Sequence, residues 1–210
     1  AAPGGQGQLE VGSEGGAAKD GEGRWPLIFL AAAFMAFQVG GLEMGFGGFQ
    51  YTYLVEHQHV SSATAMNINA AFWGSYTASR ATASLGSIYL SSESMMACCC
   101  ATCVLCSTAL MVWPSSTPAF WAIALSFGFA QAPMYALGVS LCQSFVSMDG
   151  RAMFTLVVGA SIGKFTIPIA ITSLFDFVGP FSFPVAIFFS TTGCGFFFVA
   201  LMVGGRRRRR

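Results

Sequence analysis

From Trp25 to Gly205 the chain alternates long apolar runs with short polar breaks. A hydrocarbon core of about 30 Å takes roughly 20 helical residues to cross. Six runs reach that length: Pro26 to Val55, Thr64 to Leu90, Ser94 to Trp113, Pro118 to Ser147, Ala152 to Phe177 and Phe181 to Gly204. The pattern predicts six transmembrane helices. The breaks carry turn chemistry: Glu56-His57-Gln58-His59, Ser91-Ser92-Glu93, Pro114-Ser115-Ser116-Thr117-Pro118, Met148-Asp149-Gly150-Arg151 and Val178-Gly179-Pro180. No charge occurs between Ser94 and Met148, so the Pro-Ser-Ser-Thr-Pro break alone divides the third run from the fourth. A spanning β-barrel would show alternating segments of about ten residues, and this sequence has none. The expected fold is an all-α membrane protein of six helices.

The first 24 residues differ in kind. One position in three is Gly, with Glu10, Glu14, Lys19, Asp20 and Glu22 among them and few large apolar side chains, the composition of a flexible, solvated linker. No basic segment precedes a short apolar run, so it does not read as a signal peptide. The chain begins with Ala1, and the expectation is a fragment or processed product that starts inside an interdomain loop. The organisation reads as a cytoplasmic linker (1–24), a six-helix bundle (25–205) and a basic cytoplasmic tail (206–210).

Charge sets orientation. Lys19, Arg24, Arg80, Arg151 and Arg206 to Arg210 fall on one side of a six-helix count, while the opposite breaks, Glu56 to Ser62, Pro114 to Thr117 and Asp176 to Pro180, hold no Lys or Arg. The positive-inside tendency then places both termini in the cytoplasm, with the arginine run against anionic headgroups. The plasma membrane is the expected location. Composition agrees: 54% of residues are hydrophobic, 9% are charged and the mean hydropathy is +0.63, outside soluble usage.

Enzyme motifs do not hold together. Gly159-Ala160-Ser161-Ile162-Gly163 matches a nucleophile elbow in letters, but no strand precedes it and the two His, His57 and His59, lie in an outer loop. Cys98-Cys99-Cys100-x-x-Cys103-x-x-Cys106 lacks the fourth ligand and the Pro of a ferredoxin run, and it reads as small packing surface. No disulfide framework, metal site, cofactor site or nucleic-acid face is expected.

Glu43 and Lys164 are different, because each is set in the middle of an apolar run. A charge in hydrocarbon costs roughly 2.5–3.5 kcal/mol on insertion scales, so such residues face protein or water and mark function by default. Counted along their helices their depths differ by only about 8 Å, and a Lys side chain covers much of that, so they either pair in one conformational state or each meet a partner outside this bundle. Glu43, Phe46, Gln50 and Tyr53 share one helical face, expected to look into a cavity, while Gly41, Gly45 and Gly48 occupy a packing face. Asn67, Asn69, Trp73 and Tyr76 follow on the second run, and Gln131, Tyr135 and Gln143 on the fourth. Amide and aromatic side chains at mid-membrane suit a polyhydroxylated or similarly polar solute. The candidate solute-binding residues are Glu43, Gln50, Tyr53, Asn67, Trp73, Gln131, Tyr135 and Lys164. Gly41-x-x-x-Gly45 and Gly159-x-x-x-Gly163 are candidate close-packing motifs, and Pro133 and Pro168 are candidate kinks.

Four strings carry a family resemblance. VGGLEMGFGGFQYTYLVE, NINAAFWGSYTASR, GFAQAPMYALGVSL and GASIGKFTIPIAITSLFDFVGP resemble helices seven, eight, ten and eleven of the major facilitator superfamily, in the branch of fucose/proton symporters and sodium-dependent glucose-transporter-like proteins. The resemblance covers Trp25 to about Gly205. It implies a solute symporter working by alternating access, with H+ or Na+ as coupling ion, Glu43 at the acidic position of the first string, and an N-terminal six-helix half or a second copy as partner. Two positions depart from the pattern: Ser79 stands where the family has Gly before the Arg, and Lys164 where it usually has an acidic residue. The alternative is a non-transporting six-helix membrane subunit with an assembly role. A single accessible cysteine placed between Pro114 and Thr117 should react with an impermeant reagent from outside the cell, and one placed after Arg151 should not; reaction of both from one side would refute the six-helix count.

Overall fold

The computed structural model describes residues 25–145 and 149–209; the expected linker, residues 146–148 and Arg210 lie outside the described residues. All elements among the described residues are helical: α1 (Trp25–Glu56), α2 (Ser62–Gly86), α3 (Ser92–Val112), α4 (Thr117–Gln131), α5 (Met134–Phe145), α6 (Gly150–Val178) and α7 (Ser182–Arg209). The polar breaks supply the caps. Ser61, Ser91, Ser116 and Asp149 accept the backbone N–H of Thr64, Ser94, Ala119 and Ala152, each satisfying a first-turn donor. Gly179, at φ 95°, closes α6, a backbone conformation glycine adopts without penalty.

The six expected spans are present as helices, with three differences. Five stretches are both long and apolar enough to cross a membrane: Leu30–Glu56, Ser92–Val112, Thr117–Phe145, Gly150–Val178 and Ser182–Arg206. The second run is not among them. Its 25 residues reach about 37 Å, but Asn67, Asn69, Arg80 and a series of Ser and Thr lower its hydropathy. Second, the fourth run breaks at Ala132-Pro133 into α4 and α5, whereas α6 continues unbroken through Pro168; membrane helices tolerate Pro where neighbouring groups re-satisfy the backbone. Third, α7 runs past Gly204 into the arginines as far as Arg209, consistent with the favourable interaction of basic residues with a helix C-terminus.

The break at Pro133 has a specific repair. A proline donates no N–H to the carbonyl four residues earlier, which here is Phe129. The hydroxyl of Ser79 on α2 donates to that carbonyl. Ser79 is buried, and its hydroxyl supplies the donor that Pro133 withholds from that carbonyl.

Helix α1 is the centre of the bundle, packing along α6 and also against α7, α2 and α5; α4 joins α2 to α3, and α3 leans on α7. The α1 to α6 seam is backbone against backbone. A Cβ added at Gly163 would collide with the carbonyl oxygen of Phe37, and one at Gly159 would stand 2.8 Å from the carbonyl oxygen of Ala33. On the facing side, Gly41 and Gly45 receive Ile167 and Ile171. Both glycine motifs therefore close the same interface, as small-residue motifs do in lipid. An aromatic cluster fills the interior beyond it, with Phe46 against Phe72, Phe120, Phe127 and Phe183.

The helix ends tie into two layers. At one, Tyr53 Oη and Gln58 Nε2 both donate to the carbonyl of Pro114, at 3.0 and 2.8 Å. At the other, Arg206 pairs with Glu93 at 3.1 Å and Ser92 bonds Ser140. Gly163→Val should lower thermal stability in detergent by about 1–3 kcal/mol, the usual cost of overpacking, because α1 and α6 must separate. Gly48→Ala should leave it unchanged, since nothing lies within 4 Å of a Cβ there; equal effects would mean the seam does not limit stability.

Candidate functional site

The seam brings the two mid-span charges together. Glu43 is two residues from both Gly41 and Gly45, and Lys164 directly follows Gly163. With the backbones this close, Lys164 Nζ reaches Glu43 Oε2 at 3.1 Å. The pairing expected from their depths is present. It lies at the edge of the bundle, the Lys side chain 40% exposed and the Glu side chain 16%. Lys164 is therefore the more exposed partner and Glu43 the more buried one. Pro168, four residues on, removes the helical donor to the carbonyl of Lys164, leaving that oxygen without its usual partner beside the pair.

The polar chain continues onto α2. Tyr76 is buried and lies under the electrostatic influence of both Glu43 and Arg80. Arg80 stacks its guanidinium 5.0 Å from the Tyr76 ring centre and donates to Tyr76 Oη at 3.4 Å. Lys164, Glu43, Tyr76 and Arg80 thus form a line across α6, α1 and α2. Sequence reasoning gave Arg80 a topological role and Tyr76 a general one. The signal that joins them is their i, i+4 spacing on a weakly apolar helix.

Phe46, Gln50 and Tyr53 are fully buried inside the bundle, so only Glu43 of that row meets the open edge. Gly48, expected to pack, is exposed. The row points at α2, α4 and α7, whose aromatic side chains need filling partners; a face that carries two polar residues can still be a packing face when those residues find bonds. Gln50 Nε2 donates to Asn69 Oδ1 at 2.8 Å, and Tyr53 is held by Pro114.

The remaining candidates are dispersed. Gln131 is buried, its Nε2 donating to the Val39 carbonyl at 3.2 Å. Tyr135 borders a gap of about 10 Å³, space for one water at most. Asn67 is exposed near the start of α2. Trp73 is half-buried, edge-on to Phe72 and Tyr76. Glu43 and Lys164 are brought together, with Trp73 near them through Tyr76; Gln131, Tyr135 and Asn67 are not part of that group. The side-chain oxygens Oε1 of Gln38, Gln50 and Gln131 are buried without a partner. Among the described residues no group of three His, Cys, Asp or Glu is arranged to hold a metal, and the cysteines are free thiols.

Known proteins supply a direction. The chain is 25% identical over 128 residues to sodium-dependent glucose transporter 1 of Danio rerio, 25% over 145 residues to that of Homo sapiens and 27% over 146 residues to that of Xenopus laevis. It is similar to sodium-dependent glucose transporters. The matches take in 61–69% of this chain and 22–30% of those proteins, so the chain spans less than a third of the length of these relatives. No protein-family profile matches, and no solved structure does. Together with the long apolar helices, the relatives support an integral, multi-pass membrane protein.

If the pair contributes as a charge-assisted hydrogen bond, a double-mutant cycle of Glu43→Gln and Lys164→Met should give a coupling of about 1.5–3 kcal/mol, read from thermal unfolding in detergent or nanodiscs. Additive effects would mean the two charges are adjacent without being coupled.

Proposed function

We propose that this chain is the C-terminal six-helix half of a major-facilitator transporter that moves a small polar, sugar-like solute by alternating access, with Na+ as the coupling ion. The observation that carries the reading is the Glu43–Lys164 pair, a neutralised but openable pair of charges at mid-span on the edge of the bundle. The names of the relatives favour Na+ over H+ and a sugar over other solutes. The other wall of the cavity would come from a second six-helix half, related by an axis along the membrane normal.

Glu43 is the coupling group in this reading. Its carboxylate can be neutralised by the ammonium of Lys164 or by a monovalent cation, and the two compete for the same oxygens. Cation binding releases Lys164, whose exposed side chain can reach a solute hydroxyl or the facing half. Trp73 offers a ring at the same edge, and Gln50, Tyr53 and Gln131 hold the helices rather than the solute. Both termini are placed in the cytoplasm on the charge count, with the protein in the plasma membrane.

The test is uptake into proteoliposomes of full-length protein. Glu43→Gln should lose gradient-driven accumulation and keep some solute exchange, because the amide retains shape and hydrogen bonding without the charge. Unchanged gradient-driven uptake would remove the coupling role from Glu43. Absence of solute flux in the parent and in every variant, with assembly intact in the double neutral form, would favour the structural subunit.

A further inference from the structure

On the other flank of α2 from the ion pair lies a cavity of about 740 Å³ between α2, α3 and α4, a size typical of small-molecule sites. Ser75, Ser79, Thr82 and Gly86 form one wall, Cys98 and Thr102 the other, and Phe129 and Pro133 line it from α4 and the break beyond it. Its surface is overwhelmingly apolar, with scattered hydroxyls. We propose that this groove holds an acyl chain of a membrane phospholipid from the leaflet at the Ser87–Ser91 turn.

Three observations select that occupant. The groove runs along α2 from Ser75 to Gly86, eleven residues or about 16 Å, which matches the roughly 15 Å hydrocarbon depth of one leaflet. It ends beside the polar break Ser91-Ser92-Glu93, where Leu90 and Ser94 still line it, so a chain entering there keeps its headgroup at the layer that contains the Arg206–Glu93 pair. Its rim residues Leu90, Leu125 and Phe129 are exposed large apolar side chains, which in a bilayer border hydrocarbon rather than water. The seat matters because Ser79 and Phe129, the two members of the hydrogen bond that repairs the Pro133 break, both line it. An acyl chain there shields that bond from competing donors and fills the space into which α2 and α4 could part.

The experiment is photo-crosslinking of the full-length protein in nanodiscs with a phosphatidylcholine carrying a diazirine on one acyl chain, followed by peptide mapping. Labelling should saturate at low probe content on the groove segments 79–86, 98–102 and 125–130. It should be lost in Thr102→Phe, which fills the groove, and retained in Ala101→Phe, whose exposed position lies outside the groove lining. Labelling spread evenly over the outward faces of α6 and α7, unsaturable and indifferent to Thr102→Phe, would overturn the proposal in favour of ordinary surrounding lipid. Crosslinking of Cys98 to another segment of the protein or to a second copy, with no lipid label in the groove, would overturn it in favour of a protein interface.

Discussion

The close approach of α1 to α6 is the constraint on which the rest of the bundle depends. Between helices in hydrocarbon there is no hydrophobic gain from association, and close packing, weak Cα–H···O contacts and polar bonds must supply the attraction. Gly163 against the carbonyl of Phe37 and Gly159 against that of Ala33 bring the backbones as near as helices can come. The Glu43–Lys164 pair follows from this, because each charge is within two residues of a seam glycine and each inherits the short separation. The pair in turn neighbours Tyr76 on α2, which Arg80 holds from one turn away. Side chains at Gly159 or Gly163 would widen the seam and draw the two charges apart before any change at the charges themselves.

Much of this was legible in the sequence, for physical reasons. Apolar runs of the length a bilayer demands, breaks that end in Ser or Asp at capping positions, and small residues one turn apart all act locally, so local patterns reveal them. The depth match of Glu43 and Lys164 needed only the rise per residue. What local pattern does not fix is which neighbour a helical face meets. The row Glu43, Phe46, Gln50, Tyr53 has the period of a single face, but the same row serves a solute cavity or an aromatic interior, and the choice rests on Phe72, Phe120, Phe127 and Phe183 arriving from three other helices. The bond from Ser79 to Phe129 joins residues 50 apart and has no local signature. α2 was legible from its length, although its polar content lowers its hydropathy.

The electrostatics of the pair restrict what a transport cycle built on it could do. Paired, Glu43 and Lys164 carry no net charge, and holding them in a low-dielectric setting costs far less than holding either alone. A neutral, sugar-like solute could donate hydrogen bonds to the carboxylate, but it could not replace the charge of the ammonium, so it would leave the pair closed. A monovalent cation could replace that charge at Glu43, provided the freed ammonium finds water or a new acceptor. The geometry favours that order, because the Lys side chain is the exposed partner and the carboxylate the more buried one. In the proposed cycle the ion therefore opens the pair and the solute then uses the group released, a division of labour that makes solute binding dependent on the ion without direct contact between them.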